Sequence, residues 1–364
     1  MGTPETAHQV WGWKRLQVKV DPTSRFTGAR RALGRWEAGL VVLGLLIVGL
    51  GQWYTGGLML SSYNLETTAA NSTVMACLAL GVAPVIISGD IDISIAASLS
   101  LTGVFMARIW QAGVDIWVAA LLAVVLGALL GLINGVVVVL LDLPSLAVTL
   151  GTLGAYTGAS FLVLQGNAVT GFPGSLITLG TSNIPGSPVP ISVAVVLALA
   201  VALGLVVHGT RFGKSLFAIG GNRKAALFSG IAVDRVRITG FVIAGGFAAI
   251  AAVLYLADYN TAQATIASDQ LLPAITAVIL GGVSAYGGTG TVPGVVLAVA
   301  LLTLLQEALG LHQLSGEAQT MAVGALLVVT IGSRTLIRAA GELRRRADLR
   351  GITTVSPTSA GGVV

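Results

Sequence analysis

Apolar runs separated by short polar or glycine-rich breaks make up most of this chain. Ten such runs are readable, at about 37–53, 70–88, 93–110, 116–140, 144–164, 189–208, 236–256, 271–285, 292–308 and 318–335. Their apolar positions are continuous rather than alternating. That favours helices, which need about 20 apolar residues to cross a bilayer, over barrel strands of about ten alternating residues. The third, eighth and ninth runs are short, which predicts broken or re-entrant helices. Such helices persist only where protein or water covers the freed backbone groups. The expected fold class is an all-α polytopic membrane protein of about ten transmembrane helices, some short and broken, with cytoplasmic N- and C-termini.

Composition agrees. Of 364 residues 55% are hydrophobic and 10% charged, against about 25% charged in soluble domains. Residues 143–210 and 270–306 hold no Asp, Glu, Lys or Arg. These facts exclude a soluble enzyme, a disordered chain and a disulfide scaffold. One cysteine, Cys77, and three scattered histidines leave no metal cluster. The net charge of +5 does not point to nucleic acid, because the basic residues flank the apolar runs. Seven Lys/Arg lie in residues 1–35, six in the 209–237 loop and six after Thr330, and only Arg108 lies elsewhere. An even number of spans puts all three blocks on one face, which the positive-inside rule makes cytoplasmic. The expected layout is a basic, flexible cytoplasmic tail (1–35), a membrane domain (36–336) with its cytoplasmic loop 209–237, and a cytoplasmic C-terminal tail (337–364). The first apolar run reads as a retained signal-anchor, and the tail with Trp11 and Trp13 suits an anionic lipid surface. Glu66, Asp115, Asp258, Asp269, Glu307 and Glu317 are expected on the outer face.

Four features stand out. Gly89-Asp90-Ile91-Asp92-Ile93-Ser94 puts two carboxylates at a span boundary, where Asp92 and Ser94 are placed to cap the next helix. The 209–237 loop reads as a turn at Gly220-Gly221-Asn222, an N-cap at Asn222 and a short helix over 223–229 ended by Gly230. That helix offers apolar knobs (Ala225, Ala226, Phe228, Ile231) beside Arg223 and Lys224. Six glycines between Gly281 and Gly294 describe a tight re-entrant turn, and Gly281-Gly282 loosely echoes Gly89-Asp90. Without the Lys or the preceding strand of a phosphate loop, that segment is no nucleotide site. Single polar residues inside the spans (Asn71, Asn134, Thr149, Thr152, Gln165, Gln306) read as interhelical hydrogen bonds, and the Gly127/131/135 and Gly151/154/158 series as close-packing faces. No cage of buried charges or aromatics is evident, so a tight substrate site is not expected, and no catalytic cluster is present.

Four segments together carry a resemblance: Gly89–Ser94; Leu143-Pro144-Ser145-Leu146-Ala147-Val148-Thr149-Leu150-Gly151-Thr152-Leu153; Arg211-Phe212-Gly213 through Ala218-Ile219-Gly220-Gly221-Asn222 to Ser229-Gly230-Ile231; and Gly281-Gly282-Val283-Ser284 with Gly287-Gly288-Thr289-Gly290. In order and spacing the chain from about 60 to 335 resembles permease subunits of bacterial ABC importers for monosaccharides, of the ribose, xylose, rhamnose and autoinducer-2 type. The first motif departs from the family's usual Gly-Gly-Ile-Asp-Leu-Ser by placing Asp90 at its second glycine. Asp is harder to hold at φ > 0, so an altered turn or an added cap is expected there.

The resemblance implies a homo- or heterodimer of permeases in the bacterial cytoplasmic membrane, two cytoplasmic ABC ATPase subunits and an extracytoplasmic sugar-binding protein. It implies no directly bound cofactor, since ATP and Mg are used by the partner. It matches residues 222–230 to the coupling helix, with Gly213, Gly221, Asn222, Lys224, Ala225, Ala226, Phe228, Ser229 and Gly230 as candidate contacts to the ATPase. Asp90, Asp92, Ser94, Asn134, Thr149, Thr152, Gly281 and Gly282 are the candidates for the translocation path or for helix caps. The expected function is import of a monosaccharide or sugar-like molecule. A branched-chain amino-acid ABC permease is the nearest alternative, and an ion-coupled secondary transporter a more distant one.

Overall fold

A computed structural model describes residues 22–266, 268–330 and 332, with side chains from Trp36 onward apart from Ser268. The expected calls on residues 1–21 and 337–364 lie outside the described residues. Among the described residues thirteen α-helices follow one another: α1 (Pro22–Tyr54), α2 (Ser62–Ile87), α3 (Ile95–Gln111), α4 (Ile116–Leu140), α5 (Ser145–Leu164), α6 (Gly174–Thr181), α7 (Ile191–Gly209), α8 (Arg211–Gly221), α9 (Arg223–Phe228), α10 (Val233–Tyr259), α11 (Leu271–Leu280), α12 (Val292–Leu311) and α13 (Gly316–Thr330). A two-residue antiparallel ribbon, β1 (Val169–Thr170) with β2 (Thr261–Ala262), ties together the segments that follow α5 and α10.

Among the described residues each expected run coincides with a helix, the eighth (271–285) only as far as Leu280. Seven of them, α1 (from Trp36), α2, α4, α5, α7, α10 and α12, are long and apolar enough to cross a membrane, and the chain is a multi-pass membrane protein. α3 at 17 residues, α11 at 10 and α13 fall short. Helix α1 begins at Pro22, inside the segment read as a tail.

α2 is the axis of the bundle. From Thr73 to Ile87 every one of its residues is buried, and α7, α8, α10, α11 and α12 pack around it. α4 lies against α10 through the expected glycine face. A Cβ at Gly131 would run into the Phe241 carbonyl oxygen, and Gly127 and Gly245 meet backbone to backbone. The second glycine series differs: Gly151, Gly154 and Gly158 on α5 have no neighbour within 4 Å of a would-be Cβ, so they are not close-packed within this subunit.

Candidate functional site

Glycine backbones from three segments converge where α2 ends. Gly89 closes α2 at φ +85°, with Gly89 N–H donating to the Ile86 carbonyl and Asp90 N–H to the Val85 carbonyl. α11 closes in the same way: Gly282 (φ +104°) donates to Ile279 and Val283 to Val278. This is the Schellman ending, in which a left-handed glycine lets two N–H groups reach back to orphan carbonyls. The echo between Gly89-Asp90 and Gly281-Gly282 is therefore a repeated helix ending. Gly288 N–H then donates to the Ile87 carbonyl at 2.9 Å. A Cβ on Gly220 would strike that same carbonyl, and one on Gly287 would sit 2.8 Å from the Gly89 nitrogen. The expected turn at Gly220-Gly221 is absent. α8 runs through Gly221, and Gly220 is what lets α8 touch the end of α2 and the loop after α11, whereas a Cβ on Gly221 would meet nothing within 4 Å.

Asp90 does not occupy the left-handed region and does not cap a helix. Gly89 carries the positive φ, which frees Asp90 to point its carboxylate at α10. Arg237 Nε donates to Asp90 Oδ2 at 2.7 Å and Nη2 to Oδ1 at 2.9 Å, with both side chains buried. Arg223, the first residue of α9, reaches the same carboxylate at 3.4 Å from a half-exposed position. The spans are thus not free of buried charge, although one mutually satisfied pair is not the cage of charges or aromatics whose absence is expected. Arg237 looked like one more residue of a basic loop, because its burial depends on α10 starting at Val233.

The other half of the motif forms a buried polar chain. Asp92 Oδ1 accepts from the Ser94 N–H at 2.9 Å and from the Ser94 hydroxyl at 2.7 Å. Asn134 Nδ2 on α4 donates to Ser94 Oγ at 2.8 Å. Tyr156 on α5 lies with its hydroxyl 3.2 Å from Asn134 Oδ1. Ser94 is the N-cap residue of α3 but makes no side-chain cap bond, because its hydroxyl is committed to Asp92. Thr149 donates to the Ile91 carbonyl at 3.2 Å, and Ile91 N–H donates to Ser145 at 3.0 Å. Thr152 reaches only the Thr149 carbonyl of its own helix. Gln165 ends α5 in the left-handed region, exposed, and bridges no helices. Arg108, the basic residue outside the three Lys/Arg blocks, donates to the Val163 and Leu164 carbonyls at 2.9 and 2.7 Å. A cation there complements the orphan carbonyls of a helix end.

α9 is a single short helix, Arg223–Phe228, held by its ends. Asn222 caps it by accepting from Ala225 N–H at 3.0 Å, and Gly230 (φ +80°) lets the chain leave. Ala226 is buried against Ile219 and Val233, so it does not present the outward knob expected of it. Ile231 is partly buried in the same cluster. Phe228 is 89% exposed and Leu227 60%; Leu227 was missing from the expected contacts. Lys224, Ala225 and Ser229 are exposed beside them. Tyr286, 83% exposed, adds a third large side chain from the loop whose glycines rest on α8. Gly213 is buried where α8 turns against α7, and a Cβ there would collide with the Val207 carbonyl. It shapes the corner rather than offering a surface.

A bundle of membrane-length helices around one buried axis, with a clamped, aromatic-bearing helix at one end, describes a multi-pass helical membrane protein. Residues 64–331 match the family described as branched-chain amino acid transport system / permease component, and the chain belongs to that family of permeases. It is 33% identical to the autoinducer 2 import system permease protein LsrD of Yersinia enterocolitica over 308 residues, 83% of this chain and 92% of that protein. The LsrD protein of Yersinia pseudotuberculosis is 33% identical over 311 residues, 83% and 91% of the two chains. That of Escherichia coli is 33% identical over 309 residues, 83% and 92%.

Proposed function

We propose that this chain is the membrane-spanning subunit of an ATP-driven importer for a monosaccharide or sugar-like molecule. The observation that carries the reading is α9: a helix capped at both ends, anchored by Ala226, and presenting Leu227 and Phe228 to solvent beside Lys224. An apolar pair of that size, held rigid next to basic residues, suits docking into a partner protein. The similarity to LsrD proteins supports an ABC importer and a sugar-like cargo. In this reading α3, α11 and α13 complete ten spans. The Lys/Arg blocks put the termini and the α8–α9 segment in the cytoplasm.

The partners are cytoplasmic ABC ATPase subunits that use ATP and Mg, an extracytoplasmic sugar-binding protein and a second permease subunit. ATP-driven closure of the ATPases moves α9. The junction of Gly220, Gly287 and Gly89 and the Asp90–Arg237 pair carry that motion to α2 and α10. Asp92, Ser94, Asn134 and Thr149 hold α3, α4 and α5 together near the path. A branched-chain amino acid as cargo is the second reading, favoured by the family's description. Co-purification of this chain from its native membrane with whatever ATPase and binding protein it holds, followed by ligand screening of that binding protein, separates the two. A neutral sugar as ligand is expected, and leucine or valine would replace this reading by the second.

A further inference from the structure

We propose that the bundle carries a site for a neutral, polyhydroxylated ligand at the end away from α9. A half-open cleft of about 330 Å³ lies between α2, α12 and α13 and the segment joining α10 to α11. That volume falls at the lower end of those of small-molecule sites. Asn71 on its wall is about 24 Å along α2 from Ile87, where α8 packs.

The chemistry of the lining selects the ligand. Asp269 and Glu307 supply carboxylates that accept from hydroxyl groups. Asn71, Gln306 and Gln319 supply amides, which donate and accept. Tyr259 offers a ring stacked on Tyr255 at 4.5 Å between centroids, a fixed flat surface for the apolar face of a sugar. The Thr68 hydroxyl, 5% exposed as a residue and lining the cleft, has no hydrogen-bond partner. A buried polar group left unpaired costs about 1–3 kcal/mol, and a ligand hydroxyl would relieve it.

Among the described residues neither Lys nor Arg lines the cleft, so an amino-acid carboxylate or a phosphosugar would face two carboxylates with no counter-charge. A divalent cation wants six or more oxygens converging at 2.0–2.6 Å; amide nitrogens and a tyrosine ring along an open wall suit it poorly. Apart from Asn71 and Gln306, these polar groups sit in stretches read as boundaries of the spans rather than their interiors. The inference rests on the importer reading only for the direction of transport, not for binding itself.

Saturation-transfer difference NMR on the purified full chain in lipid nanodiscs tests it, with D-ribose, D-xylose and L-rhamnose as probes and L-leucine, ribose 5-phosphate and Ca²⁺ as counter-probes. At least one neutral sugar is expected to give a signal. That signal should fall at least fivefold in both Glu307→Gln and Gln306→Ala, each checked for unchanged melting and a single elution peak, and ribose 5-phosphate should give none. Tyr259→Ala provides a third variant should either fail to fold. The proposal is overturned if no sugar gives a signal, if the variants leave the signal unchanged, or if leucine or Ca²⁺ competes the sugar away. The importer reading fails separately, through loss of ATP dependence in uptake, which this binding measurement does not involve.

Discussion

Arg237 grips the Asp90 carboxylate with two nitrogens, at 2.7 and 2.9 Å, and joins the end of α2 to the start of α10 through a buried ion pair. The pair is bidentate, the strong form of such contacts. Removing one partner of a buried pair typically costs about 3–5 kcal/mol, because the other charge stays behind. Asp90→Asn is therefore expected to lower the melting temperature of the purified protein sharply. The double variant Asp90→Asn with Arg237→Gln should recover at least about 1 kcal/mol relative to the sum of the singles. Additive losses in that cycle would mean the two side chains do not act as a pair.

Arg223 touches the same carboxylate from α9, at 3.4 Å and half exposed. An exposed arm of this kind contributes little to stability, about 0–1 kcal/mol. Arg223→Gln should melt like the parent while changing the ratio of sugar imported to ATP hydrolysed. A large drop in melting temperature would move Arg223 from signalling to structure.

The glycine contact of α4 on α10 has no room for a side chain. Gly131→Leu is expected to prevent folding, and Gly131→Ala to cost at least about 1–3 kcal/mol through overpacking, read as loss of monodisperse protein after extraction. Gly154→Ala on α5 should leave the subunit's melting unchanged, since a Cβ there meets nothing. Equal sensitivity of the two glycines would contradict the packing described.

Much of this was legible in the residue string. Ten apolar runs became ten helices because continuous burial of side chains in lipid or protein leaves little else for such segments. Asn222 and Gly230 announced α9, since a capping amide and a left-handed glycine are local requirements. What was not legible depends on three-dimensional neighbours. The pairing of Asp90 with Arg237 spans 147 positions in sequence and needs α2 and α10 side by side. Ala226 looked exposed on a short helix, and only the docking of α9 on Ile219 and Val233 buries it. For that reason Ala226→Asp tests packing, whereas Phe228 tests contact. Gly220 and Gly221 read as a turn because a glycine pair permits one; close backbone approach is the other reason for glycine, applies at Gly220, and needs the partner segment to be seen.

The Asp92–Ser94–Asn134–Tyr156 chain makes a graded prediction. Tyr156→Phe removes one hydroxyl from a buried network and is expected to cost about 1 kcal/mol. Asn134→Leu removes the bridge between Ser94 and Tyr156, taking one hydrogen bond from each while their bonds to Asp92 and the Leu130 carbonyl remain, and should cost more. Melting of the two proteins under identical lipid conditions checks the order, and a larger loss for Tyr156→Phe would break the chain as drawn.

The central claim is that α9 links this permease to an ATPase. The direct measurement is ATP-dependent sugar uptake into proteoliposomes holding this chain with its ATPase and binding-protein partners, comparing the parent with Phe228→Asp. Phe228 is 89% exposed, so the variant should fold and insert normally. It should lose at least tenfold in uptake and co-purify poorly with the ATPase. Undiminished uptake by the well-folded Phe228→Asp protein, or parent uptake that continues without ATP, would contradict the account.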